Sequence, residues 1–388
     1  MNDSFVCPIC GNSDINSIGY IHGKPYCRMC ISFKGEEVEK KHSYPKKAPI
    51  FLDYELSIEQ ESLSDDLVEN YKKGIDTLVY AVTGSGKTEI SLQLIQYAIN
   101  CGEKVAFALP RRDVCIELYN RLKDIFRENS VTSVYGGHTS HLEGDIVVLT
   151  THQLYRYKRY FSLIILDEID AFPFKDNKVL YAMFLESLCG HYVMMSATPP
   201  AETISFFSKK GKDILSLQTR FHRHPLPTPI IFLSKKPLLF LMLARKLDEF
   251  IKNKKPVFVF APTIEECELT YHMLNLIMPS GNYVHSKREN RKEIISAFRK
   301  GAFTYLVTTS VLERGVTVKN LQVIVYHADH DLYTSGVLVQ IAGRVGRKID
   351  APEGEVIYLA CKKTKEMEES IRNIKESNKA LQNLLSRD

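Results

Sequence analysis

From about residue 50 onward, short runs that are apolar at nearly every position alternate with longer runs whose apolar positions recur at helical spacing. "DTLVYAV" (76–82) leads into "TEISLQLIQYAIN" (88–100), and "KVAFAL" (104–109) leads into "DVCIELYNRLKDIF" (113–126). "DIVVL", "SLIIL" and "HYVMMSA" follow as further apolar runs. A strand reads as continuously apolar when both its faces are covered, as in a parallel sheet packed between helices. The pattern therefore predicts a doubly wound α/β domain.

"RFHRHPLPTPI", with Pro225, Pro227 and Pro229, interrupts the alternation and reads as an interdomain hinge. Beyond it the pattern starts again with "PVFVFA", "IEECELTYHMLNLI", "FTYLVTT", "LQVIVYH" and "GEVIYLA". "PLLFLMLARKL" reads as a core helix, and the charged tail 362–388, with Leu381, Leu384 and Leu385, as a helix packed back on the second domain. The charged stretch "KGEEVEKKHSYPKK" has no apolar period and reads as an exposed connector. The expected organisation is a four-cysteine module and linker at 1–45, one α/β domain at 46–224, and a second with a C-terminal helix at 225–388.

A chain of 388 residues has room for about two to three domains. With 44% hydrophobic and 25% charged residues, and no apolar run of about 18, it reads as globular rather than membrane-spanning. The N-terminus "MNDSFVCPIC" lacks the charged and apolar regions of a secretory signal, so the expected location is cytoplasmic. A net charge of +5 permits nucleic-acid binding without requiring it.

Cys7, Cys10, Cys27 and Cys30 form C-x2-C-x16-C-x2-C, the spacing of two knuckles around one tetrahedral zinc ion. Without an export signal, structural zinc is favoured over two disulfides. His22 reads as a turn residue, and the five remaining cysteines as buried or inert thiols.

"AVTGSGKT" (81–88) follows a strand and opens a helix, the setting of a phosphate-binding loop. Thr83, Gly84, Ser85 and Gly86 would wrap the phosphates, Lys87 would reach the β and γ phosphates, and Thr88 would hold magnesium. An acid after a later buried strand completes such a site. In "LDEIDAFPF", Asp167 would hold the same magnesium and Glu168 would polarise the attacking water. Ser196 and Thr198 of "MSATPP" end another strand and can hydrogen-bond Asp170, while Phe172 and Phe174 are expected to pack beneath the acid loop. "QIAGRVGR" places Gln340, Arg344 and Arg347 on an expected helix, where two arginines three apart share a face and could stabilise phosphoryl-transfer charge.

The order Gln60, "AVTGSGKT", "ALPRRDV", "TTHQLYRY", "DEID", "SAT", "VFVFAPT", "TTSVLERGVTV" and "QIAGRVGR" resembles the motif series of superfamily 2 helicases and translocases over about residues 55–348. Within that superfamily, the four cysteines, "PRRDV", "DEIDAFPF" and "MSATPP" resemble the late-competence DNA-uptake ATPase family ComFA. The resemblance implies two RecA-like domains in tandem, with ATP, Mg2+ and Zn2+ as cofactors. It also implies that Gln60 recognises adenine, that Gly315 lies behind the second-domain nucleotide contact, that Ser196, Thr198, Asp170 and Gln340 couple hydrolysis to motion, and that Arg344 and Arg347 are arginine fingers. Ile169 and Gln340 stand where DEAD-box RNA helicases carry alanine and histidine, which lowers the RNA reading.

In such motors "ALPRRDV" and "TTHQLYRYKRYF" lie where the strand passes. Arg111, Arg112, Thr151, Tyr155 and Arg156, with Ser286, Thr308 and Thr309 of the second domain, become candidate DNA contacts, and Tyr157 and Tyr160 candidate stacking partners. The leading function is a DNA-stimulated ATPase that translocates single-stranded DNA during competence. Its implied partners are the membrane DNA channel and cytoplasmic competence proteins such as ComFC, with a peripheral position at the inner face of the membrane. A PriA-type replication-restart helicase and a nucleotide-gated adaptor with vestigial hydrolysis are the competing readings.

Overall fold

Each of the nine apolar runs named above forms a strand in the computed structural model, which describes residues 5–21, 23–30, 33, 35–40, 43–309 and 318–386. The four-cysteine segment carries an antiparallel pair, β1 (Ile18–Ile21) and β2 (Lys24–Cys27). A seven-stranded sheet follows: β3 (Thr77–Ala81), β4 (Val105–Leu109), β5 (Val131–Val134), β6 (Ile146–Thr150), β7 (Phe161–Asp167), β8 (Leu188–Ser196) and β9 (Asp213–Leu217). A six-stranded sheet comprises β10 (Ile230–Leu233), β11 (Val257–Phe260), β12 (Gly281–Val284), β13 (Tyr305–Thr308), β14 (Gln322–Tyr326) and β15 (Val356–Ala360). Both larger sheets are parallel throughout, in the orders 5-6-4-7-8-3-9 and 10-15-14-11-13-12, the doubly wound architecture expected.

Four strands of the two large sheets lie outside the runs read as strands: β5, β9 and β12, which carry no continuous apolar run, and β10, whose short "IIFL" follows the hinge-like prolines. All four lie at sheet edges. An edge strand has a neighbour on one side only and less cover, so its residues need not be apolar at every position. β4, β6, β14 and β15, inside the sheets, are buried at every residue.

By contacts the chain divides into two compact units, Met1–Ala81 with Gly86–Leu217, and Val82–Ser85 with Gln218–Asp388. In the first, alternate strand residues feed two cores, one on each sheet face: Leu78, Ala106, Ile164 and Met194 on one side, Val79, Phe107, Ile165 and Met195 on the other. The cysteine module packs with the first of these cores. Its connector is tied down, contrary to the exposed linker its composition suggests. Phe33 stacks on His152 with ring centroids 6.1 Å apart, Val38 N–H donates to the Arg156 carbonyl (2.8 Å), and the Arg156 guanidinium donates to the Glu36 carbonyl (3.0 Å). Val38 is buried, and one apolar residue among the charges suffices to anchor the segment.

Asp145 fastens the end of this connector. It accepts from Lys46 Nζ (2.9 Å), Ser130 Oγ (2.8 Å) and Lys104 Nζ (3.3 Å). Burial alone would raise its pKa, but the bonds from Lys46 and Ser130 and the Lys104 charge outweigh burial and hold it at about 2. A depressed carboxylate contributes stability above its unfolded pKa and loses it as pH falls through the folded value, here from about pH 4 to 2. Asp145→Asn is expected to lower the stability of the first unit by about 2 kcal/mol at pH 7, read from its urea midpoint, and to flatten the acid limb of the wild-type profile.

In the second unit the C-terminal helix, Lys365–Leu385, buries Met367, Ile374 and Leu381. Its Asn378 bonds both the N–H and the carbonyl of Leu226 at 2.8 Å, so this helix packs on its own unit as its apolar spacing suggests. Leu385 stays half-exposed.

Candidate nucleotide and nucleic-acid site

β7, β8 and β3 are adjacent in the sheet, so their carboxyl ends bring the acid loop, the Ser-Ala-Thr loop and the second half of the phosphate loop together. The loop after β3 turns at Gly84 and Gly86, both at φ +84°, a conformation that disfavours any side chain. The expected helix 88–100 is interrupted: it runs Lys87–Ile90 and Leu92–Asn100, with the Ser91 hydroxyl bonded back to the Thr88 carbonyl at 2.6 Å.

Lys87 Nζ lies 2.7 Å from Asp167 Oδ1. Burial pushes the Asp167 carboxyl up from its ordinary value, and the Lys87 charge only partly restores it. Asp167 also accepts the Glu168 N–H (2.7 Å), with Glu168 held at φ +59°. A non-glycine residue in that region is uncommon outside sites whose surroundings enforce it. Asp170 accepts from Ser196 Oγ (2.7 Å) and Thr198 Oγ1 (2.8 Å), so the acid loop is latched to the end of β8. Gln60 is buried beside Gly86, in a capping box with Ser57, whose N–H its Oε1 accepts at 2.9 Å.

Phe174 packs against Tyr181 and Phe184, but Phe172 is 82% exposed, so only one of the two phenylalanines lies beneath the acid loop. One group here had no sequence signal. Glu89, one residue past Thr88, is buried and pairs with Arg121 and with Tyr54 Oη (2.8 Å), bracing the helix that carries Lys87 and Thr88. An acid in a helix opening reads as dipole complementarity until its distant arginine is known.

The arginine motif departs from expectation. The helix of Gln340 runs Ser335–Ala342 and ends at Gly343, so Arg344 and Arg347 lie in the turn beyond it rather than along one helical face. Gly346 at φ +67° shapes that turn. Arg344 is buried, whereas Arg347 is partly exposed and its Nε donates to the Gly343 carbonyl (3.0 Å). Gly315 lies outside the described residues.

Most of the expected DNA contacts have structural occupations. Thr151, Arg156, Thr308 and Thr309 are buried. Arg156 engages Gln153 and Glu36, and Tyr155 packs on Phe33 with centroids 5.7 Å apart, so both serve the connector. Tyr157 and Tyr160 are core residues in edge-to-face contact at 5.3 Å. Alternation of tyrosine and base suits a stacking surface equally well, and the fold turns these rings inward. Among the candidates Arg112, over the Tyr135 ring at 4.8 Å, and Ser286 are exposed and Arg111 is partly so; Lys158 and Arg159 are exposed beside them.

The four cysteine sulfurs lie within 4.8 Å of one another, with Cys10 and Cys27 at 3.8 Å. Thiolates at the Zn–S distance on a tetrahedron stand about 3.8 Å apart, while a disulfide needs about 2.0 Å. The thiols are free of disulfides; burial raises Cys10 to about 11 and raises Cys30 too, whereas at Cys27 burial is outweighed by hydrogen bonds from the backbone of Met29 and from Cys10, which lower it, so holding all four as thiolates calls for a cation among them. The geometry and the donor set both fit zinc.

The chain matches the DEAD/DEAH box helicase family over residues 61–206 and the helicase conserved C-terminal domain over 242–348. Dbp5 of S. cerevisiae bound to RNA and ADP BeF3 shares the fold at 14% identity and TM-score 0.61, covering 83% of this chain and 92% of that one. RecG bound to a three-way DNA junction does so at 18% identity and TM-score 0.61, over 88% and 49%. Tandem RecA-like sheets with these motifs define a superfamily 2 helicase. The chain is 34% identical to the competence protein ComFA of Bacillus subtilis (strain 168) over 394 residues, 96% of this chain and 85% of that protein. It is 35% identical to ComFA of Streptococcus pneumoniae (strain ATCC BAA-255 / R6), over 96% and 90%. It belongs to the competence protein ComFA family. Among the described residues no helix is long and apolar enough to cross a membrane.

Proposed function

We propose that this chain is an ATP-dependent single-stranded DNA translocase that drives or assists uptake of transforming DNA during competence. The observation that carries the enzymatic part is the convergence of Lys87, Asp167 and the Asp170–Ser196–Thr198 latch at the ends of three adjacent strands. Family membership supports the biological setting.

Lys87 exchanges Asp167 for the β and γ phosphates of ATP as nucleotide enters. Glu168 orients the attacking water and takes up its proton. Thr88 and Asp167, a hydroxyl and a carboxylate, form the hard oxygen set for magnesium, which when bound neutralises charge on the phosphates. Because Asp170 holds both hydroxyls at the end of β8, a shift of the acid loop is transmitted to the following segment. Arg347, partly exposed in its turn, would stabilise charge on the transferred phosphoryl group, and Arg344 is buried in the same turn. Cys7, Cys10, Cys27 and Cys30 would hold zinc, which when bound would tie the N-terminal module together. The DNA strand is gripped by exposed bases such as Arg112, Lys158 and Arg159, so binding is independent of sequence and sensitive to salt.

ATP hydrolysis measured against single-stranded DNA, duplex DNA and RNA at several salt concentrations tests this reading. Stimulation is expected to be largest with single-stranded DNA, and the apparent DNA affinity read from half-maximal stimulation to fall with salt, each phosphate contact adding about 0.7 to the log–log slope of that affinity. Equal hydrolysis with and without single-stranded DNA would sink the proposal.

A further inference from the structure

Arg220 stands in "QTRFHRH", a stretch that reads as hinge, yet only 2% of it is exposed. Its guanidinium donates to the carbonyls of Val345 (2.8 Å) and Gly346 (2.9 Å) through one nitrogen and of Gly343 (3.1 Å) through the other. These three carbonyls belong to the turn that bears Arg344 and Arg347, directly after the helix Ser335–Ala342. Arg347 Nε donates to the same Gly343 carbonyl, so the two arginines share an acceptor.

His222 completes the clasp. Its Nδ1 accepts the His224 N–H (3.1 Å), which fixes the proton on Nε2, and Nε2 donates to the Gly346 carbonyl at 2.9 Å. The N–H of Phe221 donates to the Gly84 carbonyl (3.3 Å), and Val82–Ser85 group with this same unit. Adjacent residues of the linker thus engage the arginine turn and the first half of the phosphate loop.

Burying a guanidinium costs several kcal/mol unless its surroundings answer the charge. No carboxylate is among the partners of Arg220 in the described residues; burial, and secondarily the charge of Arg347, lower it to about 9. What answers the charge is the carbonyl end of the helix dipole and the turn beyond it. The planar fork of arginine can span several acceptors in fixed geometry, which the point charge of lysine cannot. A simple fastener of two segments would not need a cation brought beside another cation.

We propose that Arg220, with His222, is a positioning residue for ATP hydrolysis: it holds the turn 343–346 in the shape that aims Arg347. This rests on the ATPase reading above. The test is steady-state ATPase of the full chain with single-stranded DNA for Arg220→Lys, Arg347→Ala and the double variant, with thermal melts and amide exchange over 343–347. Arg220→Lys is expected to lower kcat by tenfold or more, up to about the 10²-fold that a misplacement near 1 Å costs. The loss should fall on kcat more than on the KM for ATP, because Arg347 is assigned to charge that develops in the transition state. The lysine variant should lose nothing further in the Arg347→Ala background, and its exchange over 343–347 should rise.

Gly346→Ala, which would drive a methyl against the Pro352 carbonyl in a left-handed turn, should reproduce the same profile if Arg220→Lys folds poorly. An unchanged kcat, or the same fold-loss with and without Arg347, would overturn the proposal. A wild-type chain with no ATPase would overturn the proposed function instead, and the exchange measurement would then decide the clasp alone.

Discussion

Glu168→Gln is expected to cut ATP turnover by about 10²–10⁴-fold while leaving nucleotide affinity within a few-fold of wild type. Glu168 follows Asp167, whose carboxylate is paired with Lys87 at 2.7 Å, and is the acid proposed to act on the attacking water. The amide keeps the volume and loses only the capacity to take a proton. Lys87→Ala is a less clean test. It removes a phosphate contact and also strands Asp167, a buried carboxyl already raised by desolvation, which would then take up a proton. Its expected result is loss of nucleotide binding together with lower stability. Nucleotide binding beside phosphate release separates the two variants, and full turnover by the Glu168→Gln chain would remove Glu168 from the mechanism.

Cys27→Ser is expected to abolish binding of about one zinc per chain and to unfold the N-terminal module, since structural zinc sites contribute about 10–16 kcal/mol of apparent binding energy. The effect should spread beyond the four thiols. Phe33, Glu36 and Val38 pack on His152, Tyr155 and Arg156, so loss of the module strips cover from a buried arginine and from the face of the core that contains Tyr157. Protease cleavage in 33–47 should become rapid, and the first unit should melt earlier. Chelation of the wild-type chain should give the same pattern, reversed by added zinc. An apo chain with unchanged cleavage and melting would show that the module holds without metal.

The sheet interior was legible because burial on both faces allows only one kind of sequence, the continuous apolar run seen in β4, β6, β14 and β15. The edges were not, since partial cover relaxes that demand and "VTSV" or "DILSL" then reads as connection. The candidate nucleotide site was legible for a related reason: a loop able to wrap phosphate needs glycines at positive φ and a lysine at fixed spacing, and Gly84, Gly86 and Lys87 have those features. The arginine motif was legible in its residues but not its shape, because Gly343 and Gly346 end the helix that the spacing of the two arginines suggested.

Charged residues in polar stretches mark the limit. Arg156 reads as a DNA contact and Arg220 as hinge, yet both are buried, and each owes its place to carbonyls far away in sequence: Glu36, 120 residues from Arg156, and Gly343, 123 residues from Arg220. By itself the sequence determined the interior strands, the phosphate loop, the acid loop and the four-thiol cluster, because each depends on residue types at local spacings. Only the tertiary structure decided which cations meet solvent and which hold the chain together, since a guanidinium's role depends on the acceptors that the fold brings within about 3 Å of it.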